Sequence, residues 1–405
     1  MNKIRYLSDD LFKNNFDGYT LNALHKNEKV INFSPGPAQF PKDIMDELKN
    51  DINNCSYGVS PLEISHRSPE FNTILSRVNS NMKKLMEIPD DFSIIWTQGG
   101  GHGQFSAVPL NLGYLVHKNS QANYIVTGTW SNRAYFESKK FINSKNSLSS
   151  KKIPIQITNL DENDINIKDN DEYVYLCSNE TVNGIEFRED GLPYPNREKL
   201  KSSKLIIDMS SDFTMKKINW DNIDVVFACT SKNLGIAGAN ITIVRTDLIA
   251  GNDNVPCVLD WNAYNKANSL YNTPAIYNIY IIDKFLKYYL NKGGIEILEN
   301  ESKIKSKMIY DTIDESKLYH CVVSDKKIRS NINIPFIVGD GNKKLMEKFL
   351  YFCYINNIVG LRTKTPFNYE DFEMKEPLRI SLYNGISIKD TTKLVDVMKF
   401  FEKNY

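Results

Sequence analysis

One stretch of the sequence decides the fold that we expect, namely Val225-Val-Phe-Ala-Cys-Thr-Ser-Lys-Asn-Leu-Gly235. Its apolar first half is typical of a buried strand, and its polar second half places Lys232 just past the strand end. Upstream, the apolar run Leu205-Ile-Ile-Asp-Met-Ser-Ser211 carries Asp208 at the end of a second strand. Because the carboxyl ends of neighbouring parallel strands meet at one edge of a sheet, we expect Lys232 and Asp208 to lie close together.

Lys232 and Asp208 are the pair of groups that pyridoxal 5'-phosphate (PLP) chemistry requires. A lysine amine forms a Schiff base with the cofactor aldehyde, and a carboxylate keeps the pyridine nitrogen protonated so that the ring can accept electrons. A lysine at a strand end is, however, more often a solvated surface residue. The pair alone therefore leaves both interpretations open.

Strand-like and helical patterns alternate through most of the chain. They predict an α/β fold with a mainly parallel sheet covered by helices on both faces. The polar stretch 143–150 is predicted to be a surface loop. The predicted strands cover residues 92–96, 124–128, 173–178, 204–209, 225–229 and 239–245.

The pattern of predicted helices and strands changes in the second half of the chain. Long helices are predicted at about 274–291 and 294–314, and shorter strands and helices follow, which indicates a small α+β domain. We therefore divide the chain into an N-terminal extension (1–31), a large domain (32–298) and a small C-terminal domain (299–405).

The composition excludes several classes of protein. The chain has 405 residues and a formal net charge of +1, so no excess charge indicates nucleic acid or an anionic membrane as a partner. No apolar run approaches the ~20 residues of a membrane span, and the first residues lack the apolar core of a secretory signal. The six cysteines are scattered without a CxxC motif, which argues against a zinc site. We expect a cytoplasmic protein that binds no metal.

Further polar residues follow the predicted strands. Gly100 and Gly101 open a helix whose free N–H groups can hold a phosphate, although successive glycines can also be a simple turn. Trp130 offers an aromatic face, but a lone tryptophan is more often part of a core. Thr181 offers a hydroxyl group, which could equally be a cap. Their location at neighbouring strand ends favours one shared ligand site.

Three basic residues are candidates for binding anions. Arg379 lies inside the apolar run Leu378-Arg-Ile-Ser-Leu-Tyr383, where a half-buried guanidinium needs a partner such as a substrate carboxylate. His66 and Arg67 are adjacent and can clamp an anion together, although an arginine before a helix is usually solvated.

Several more segments match one family in order and in length. They are Asn32-Phe-Ser-Pro-Gly-Pro-Ala38, Glu63-Ile-Ser-His-Arg-Ser68, Gln98-Gly-Gly-Gly-His-Gly-Gln-Phe-Ser-Ala-Val-Pro-Leu-Asn111, Val126-Thr-Gly-Thr-Trp-Ser131, Ser178-Asn-Glu-Thr181, Asp208-Met-Ser-Ser-Asp-Phe213 and Ser269-Leu-Tyr-Asn-Thr-Pro274. From about residue 31 to its C-terminus, the chain resembles the phosphoserine aminotransferases, which are class V aminotransferases of PLP fold type I. The resemblance implies an α/β enzyme with a mainly parallel large domain and a smaller α+β C-terminal domain.

The resemblance also implies a role for each candidate residue. Lys232 would bind the cofactor covalently and move a proton, Asp208 would pair with the pyridine nitrogen, and Trp130 would stack on the ring. Burial beside the cationic cofactor is expected to lower the pKa of the free Lys232 amine. The implied cofactor-binding residues are Gly100, Gly101, Trp130, Thr181, Asp208, Ser231, Lys232, Asn272 and Thr273. The implied substrate-binding residues are His66, Arg67, Lys364 and Arg379.

The same resemblance predicts an obligate homodimer with shared active sites. Asn272 and Thr273 would reach the cofactor phosphate from the second subunit, and His66 and Arg67 would face the substrate phosphate from there. Arg379 would bind the substrate carboxylate.

Two departures from the family pattern bear on the substrate. Ser231 stands where the family usually has glutamine, which is a mild change because a hydroxyl group can still contact a phosphate. After Gly360-Leu the family carries Gly-His-Arg, whereas this chain reads Arg-Thr-Lys-Thr and continues to Arg379 through a longer, acidic connection. Either Lys364 replaces the lost charge, or the substrate is no longer phosphoserine.

Three hypotheses about function follow. The leading one is transfer of an amino group between glutamate and 3-phosphohydroxypyruvate, which yields O-phospho-L-serine and 2-oxoglutarate. The alternative is a PLP-dependent decarboxylase, or a transaminase of a different amino-acid-bearing substrate. A catalytically inactive scaffold is the third, and the presence of both Lys232 and Asp208 argues against it.

Overall fold

The computed structural model describes residues 29–54, 58–113, 120–148, 160, 162–167, 171–251, 253–362 and 377–405. Its helices are α1 (Lys42–Asn54), α2 (Pro69–Met86), α3 (Gly100–Leu112), α4 (Thr129–Ser138), α5 (Arg197–Leu200), α6 (Trp261–Lys266), α7 (Ile276–Lys292), α8 (Ile295–Asp314), α9 (Lys343–Ile355) and α10 (Ile388–Asn404). Its strands are β1 (Ile31–Asn32), β2 (Phe92–Gln98), β3 (Gln121–Ile125), β4 (Asn143–Asn146), β5 (Tyr173–Cys177), β6 (Asn179–Glu180), β7 (Ile185–Glu186), β8 (Lys204–Asp208), β9 (Val225–Cys229), β10 (Ala239–Arg245), β11 (Tyr319–Cys321), β12 (Asn333–Val338), β13 (Ile358–Val359) and β14 (Leu378–Ser381).

The large domain is built on a sheet with the strand order β2-β10-β9-β8-β5-β3-β4. From β9 to β4 all neighbours are parallel, which confirms the predicted α/β fold class. Strand β10 runs antiparallel to both β2 and β9. Only the loop 230–238 joins β9 to β10, and a parallel crossover needs a dozen or more residues.

The register of the central strands sets the position of the site. Cys177 of β5 pairs with Asp208 of β8, and Asp208 pairs with Phe227 of β9. The three strands therefore end at nearly the same level, and the segments 178–181, 209–211 and 230–232 leave the sheet at one edge. All five residues of β5 are buried, as expected for a strand that is covered on both faces.

The small domain has its own core around the antiparallel sheet β11-β12-β14. Ile31 and Phe33 pack into this core, and β1 pairs with β13. Helix α8 runs from one core to the other, since Leu298 packs in the large domain and Ile309 in the small one. The division of the chain into residues 1–31, 32–298 and 299–405 stays a prediction.

One local prediction was wrong. Residues Asn143–Asn146 form the edge strand β4 beside β3, and Ser144 is only 8% exposed. A polar edge strand lacks the apolar alternation on which strand prediction depends. Among the described residues, no helix is long and apolar enough to span a membrane, and no group of His, Cys, Asp and Glu side chains could hold a metal ion.

Candidate active site

A cavity of about 370 Å³ opens at the carboxyl ends of β5, β8 and β9, and we call it the strand-end cavity. Its walls come from the strand-end segments, the glycine turn before α3, the start of α4 and strand β14 of the small domain. The predicted residues that line it are Gly100, Gly101, Trp130, Thr181, Asp208, Ser231, Lys232 and Arg379. Their convergence supports the single ligand site that the sequence predicted.

Lys232 lines the strand-end cavity and contacts two of its other residues. Its Nζ donates a hydrogen bond of 2.9 Å to the Thr181 hydroxyl oxygen and lies 5.9 Å from the Trp130 ring centroid. Burial acts to lower the pKa of Lys232, but the acidic groups of Tyr383, Cys229 and Asp208 outweigh it, so the pKa lies above its ordinary value. The expected lowering is therefore not produced by the residues of the chain itself.

Asp208 is buried at the end of β8, with 3% of its surface exposed. One carboxylate oxygen accepts a hydrogen bond of 2.9 Å from the Ser210 N–H, and the Tyr175 hydroxyl lies 3.4 Å from the other oxygen. Burial raises the pKa of Asp208 above its ordinary value, although the Ser210 contacts oppose this shift. A buried carboxylate with few partners is well suited to hold a protonated ring nitrogen.

The glycine turn lies at the start of α3. Gly99 and Gly100 have φ angles of 93° and 58°, in the left-handed region that favours glycine. A Cβ on Gly101 would lie 3.5 Å from the Ser210 hydroxyl oxygen, so the turn lies beside the segment that follows β8. The first N–H groups of a helix have no intrahelical partner, so this turn can hold a phosphate group.

Unused hydrogen-bonding atoms allow a test of whether PLP fits. Within the part of the chain that the structure describes, the buried Nε1 of Trp130 and the buried hydroxyl of Thr129 have no hydrogen-bond partner. Such atoms are uncommon in a folded chain and indicate a ligand or solvent partner. The cavity is of the size that cofactor sites have, and it offers a lysine amine, a carboxylate, a hydroxyl group, an aromatic face and a phosphate turn. The residues present therefore fit PLP.

Arg379 joins the small domain to the site. It is 5% exposed, and one guanidinium nitrogen donates a hydrogen bond of 2.8 Å to the Thr181 carbonyl oxygen. Thr181 thus contacts Lys232 through its side chain and Arg379 through its backbone. The arginine and the lysine amine are therefore bridged by one residue within the same cavity.

Other predicted residues do not line this cavity. His66 and Arg67 precede α2, and the Arg67 backbone N–H contacts Ser65. The Thr273 carbonyl oxygen accepts a hydrogen bond of 3.0 Å from Gln98, beside the glycine turn. Lys364 lies outside the described residues. Within a single chain, the described residues His66, Arg67, Asn272 and Thr273 do not line the strand-end cavity.

Two residues of the site were missed by the sequence argument. Glu180 is fully buried next to Thr181 and accepts hydrogen bonds from the start of α4. Tyr383 contributes to the electrostatics of Lys232, and its hydroxyl contacts the Pro35 carbonyl oxygen. Glu180 lies in the segment Ser178-Asn-Glu-Thr181, so the sequence offered a signal for it. Tyr383 follows an apolar strand, and an aromatic residue at such a position indicates no functional role.

The fold and the site define a PLP-dependent aminotransferase of fold type I. The model of the aminotransferase class-V family matches residues 30–394, and the chain belongs to this family. The relatives that it resembles are phosphoserine aminotransferases. The chain is 38% identical over 380 residues to a probable phosphoserine aminotransferase of Caenorhabditis elegans, covering 93% of this chain and 97% of the relative. It is 34% identical over 385 residues to the phosphoserine aminotransferase of Drosophila melanogaster, covering 93% and 99%.

Solved structures give the same result. The phosphoserine aminotransferase from Bacillus circulans subsp. alkalophilus superposes with a TM-score of 0.83 at 30% identity, covering 93% of this chain and 99% of that one. The PLP-bound phosphoserine aminotransferase from Trichomonas vaginalis superposes with a TM-score of 0.81 at 29% identity, covering 92% and 100%. The predictions of the fold class, of PLP as cofactor and of aminotransferase activity are confirmed, and the relatives support transamination over decarboxylation.

Proposed function

We propose that this enzyme is a phosphoserine aminotransferase, which moves an amino group between glutamate and 3-phosphohydroxypyruvate and yields O-phospho-L-serine and 2-oxoglutarate. The observation that carries the proposal is the convergence of Lys232, Thr181, Asp208 and Arg379 in one cavity. It is supported by relatives that bear this name and match the chain over 93% of its length. PLP, when bound, supplies an electron sink for the substrate Cα.

One set of residues would bind the cofactor and carry out the proton transfer. Asp208 would hold the ring nitrogen, Trp130 the ring face, and Thr181 the phenolic oxygen. The Gly100 and Gly101 N–H groups and the Ser231 hydroxyl would hold the cofactor phosphate. Lys232 would attach the cofactor and move the proton at the substrate Cα.

The substrate would be oriented by charged groups at both of its ends. The planar guanidinium of Arg379 can bind an α-carboxylate through two parallel hydrogen bonds. Its bond of 2.8 Å to the Thr181 carbonyl limits its motion before the substrate arrives. Lys364, in the segment that replaces the Gly-His-Arg of the family, is a further candidate for the phosphate end.

A homodimer with shared active sites accounts for the predicted residues outside the cavity. The partner subunit would supply His66 and Arg67 to the substrate phosphate, and Asn272 and Thr273 to the cofactor phosphate. Exposed apolar side chains flank both segments, with Leu62 at 58% and Tyr271 at 49% exposure, and burial in an interface would remove them from water. A cytoplasmic location is part of the same proposal.

The proposal is tested by titrating the PLP-loaded protein with O-phospho-L-serine while the visible spectrum is recorded. We expect the absorbance of the bound cofactor to fall, and glutamate to appear once 2-oxoglutarate is added. L-serine, which lacks only the phosphate, is the matched control and should need at least about tenfold higher concentration, because a charged hydrogen bond is lost. An unchanged spectrum, or equal responses to both amino acids, would refute phosphoserine as the substrate.

A further inference from the structure

The first turn of helix α4 is held from outside by side chains of the β6–β7 hairpin. The backbone N–H groups at the start of a helix lack intrahelical partners. Here the Trp130 N–H group donates a hydrogen bond of 2.9 Å to one carboxylate oxygen of Glu180. The Ser131 N–H group donates one of 2.9 Å to the other oxygen. The Thr129 N–H donates one of 2.8 Å to the Asn183 side-chain oxygen. Consecutive amides of this turn are therefore bound by one short hairpin.

Glu180 is an unusual anchor because it is a carboxylate with 0% exposure. Among the described residues, the hydrogen-bond partners of its side chain are donors from the first turn of α4, and the Ser131 hydroxyl adds a contact of 2.5 Å. Burial raises the pKa of Glu180, while the hydrogen bonds from Ser131 and Trp130 oppose this shift. The positive end of the helix dipole also favours a negative charge at this position.

The fit between the hairpin and the helix depends on Gly128. A Cβ at this position would lie 2.5 Å from both the Asn183 side-chain oxygen and the Glu180 carboxyl carbon. A real Cβ atom does not approach non-bonded atoms this closely, so a larger residue would push the hairpin away from α4. The segments Val126-Thr-Gly-Thr-Trp-Ser131 and Ser178-Asn-Glu-Thr181 therefore form one interlocked unit.

The same hairpin reaches the reacting groups on its other side. Thr181 follows Glu180 directly, and its hydroxyl oxygen accepts the hydrogen bond of 2.9 Å from Lys232. Trp130, whose backbone Glu180 holds, lines the same cavity. Any displacement of α4 from the hairpin would therefore move the indole relative to Thr181 and Lys232.

We infer that Glu180 is a positioning residue that holds the Trp130 indole at the cofactor position by anchoring the first turn of α4 to the strand end carrying Thr181. The inference concerns how the cofactor is held, and it rests on the PLP site within the proposed function but not on phosphoserine being the substrate.

The test compares Glu180→Gln with the wild-type chain. The amide keeps the shape of the side chain, but its NH2 group cannot accept a hydrogen bond, so one backbone N–H of α4 loses its partner. We expect faster hydrogen exchange in the peptide that begins α4 in the apoprotein, and a Kd for PLP that rises about tenfold, as the loss of one buried hydrogen bond implies.

A double-mutant cycle separates positioning from a general structural role. If Glu180 acts through the indole, Glu180→Gln should change the Kd for PLP by no more than about twofold in a Trp130→Ala background. Glu186→Gln is the matched control, because Glu186 is a second buried glutamate of the hairpin, is 2% exposed and contacts Lys216 and Asn331. It should lower thermal stability and leave the Kd for PLP within about twofold.

Three results would overturn the inference. They are an unchanged Kd and unchanged exchange in Glu180→Gln, an equal loss of PLP affinity in the Trp130→Ala background, or an equal loss in Glu186→Gln. If Glu180→Gln does not fold, Ser131→Ala removes the hydroxyl contact to Glu180, together with the hydrogen bonds that this hydroxyl accepts from the Thr127 and Gly128 N–H groups. It should raise the Kd for PLP severalfold in the wild-type background and by no more than about twofold in the Trp130→Ala background. An unchanged Kd in Ser131→Ala would overturn the inference. Neither readout involves turnover, so a different amino-acid substrate would refute the proposed function and leave this result standing.

Discussion

Two cavities of nearly equal volume in the described part of the chain differ in what their polar groups already contact. The strand-end cavity measures about 370 Å³. The second, which we call the paired-charge cavity, measures about 380 Å³ and lies between α8, the β7–α5 segment and residues 216–219. The basic side chains that line it are each paired with a carboxylate: Arg188 with Asp190, Lys216 with Asp212 and Glu186, Lys217 with Glu296, and Lys303 with Glu299.

Volume alone therefore does not identify a reactive site in this chain. Each cavity contains a partly buried lysine, but the two lysines have different surroundings. Burial acts to lower the pKa of Lys216, but Asp212, Tyr194 and Glu186 hold this pKa well above its ordinary value. Lys232 instead contacts a neutral hydroxyl group, next to a tryptophan whose indole N–H has no partner among the described residues. Groups that have not yet formed their hydrogen bonds are available to a ligand.

The largest effect should come from Lys232→Ala. Without the amine no covalent attachment of PLP is possible, and no base remains to move the proton at the substrate Cα. We expect turnover to fall by at least about 10³-fold and the visible absorbance of the bound cofactor to change. Near-normal turnover in this variant would remove the strand-end cavity from consideration as the reaction site.

The matched change in the paired-charge cavity is Lys216→Met. Removing one partner of a buried ion pair leaves Asp212 and Glu186 without compensation, at a cost of about 3 kcal/mol in the free energy of unfolding. Denaturant unfolding measures this loss, while turnover per folded enzyme should stay within about twofold of the wild type. A loss of turnover without a loss of stability would erase the distinction between the two cavities.

Within the strand-end cavity, Arg379→Lys should separate substrate binding from cofactor binding. The ammonium group keeps the charge but loses the planar fork that matches a carboxylate. We expect kcat/KM to fall about tenfold or more for every amino-acid substrate, with the Kd for PLP unchanged. A rise in the Kd for PLP as large as the fall in kcat/KM would show instead that Arg379 binds the cofactor.

The smallest effect should come from Asp390→Asn, which lies in neither cavity. Burial acts to raise the pKa of Asp390, but hydrogen bonds from Lys29 and Ser387 hold this pKa below its ordinary value. A carboxyl group with a lowered folded pKa stabilises the chain above its unfolded pKa, and this stability is lost as the pH falls through the folded pKa. Asp390→Asn should therefore be less stable than the wild type by about 1 kcal/mol at neutral pH, and this difference in stability should begin to narrow as the pH falls below about 4 in acid unfolding curves. A difference that does not narrow as the pH is lowered further would contradict a lowered pKa of Asp390.

The sequence was sufficient to predict which residues come together at the ends of neighbouring strands. Asp208 and Lys232 follow apolar runs, so the parallel sheet brings them together as predicted. Glu180 lies in a segment that the sequence singled out, but its contacts could not be predicted, because its partners are backbone groups 50 residues away that only the tertiary fold brings near. The edge strand β4 and the antiparallel β10 depend on pairing between distant segments, which local pattern does not encode.

The contrast between the two lysines can be measured directly on the full chain. The protein is loaded with PLP, reduced with sodium borohydride, and digested, and the modified lysine is located by peptide mass spectrometry. We predict a phosphopyridoxyl group on Lys232 and an unmodified Lys216. A label on Lys216, or a loaded protein in which Lys232 remains unmodified, would contradict the assignment of the strand-end cavity as the active site.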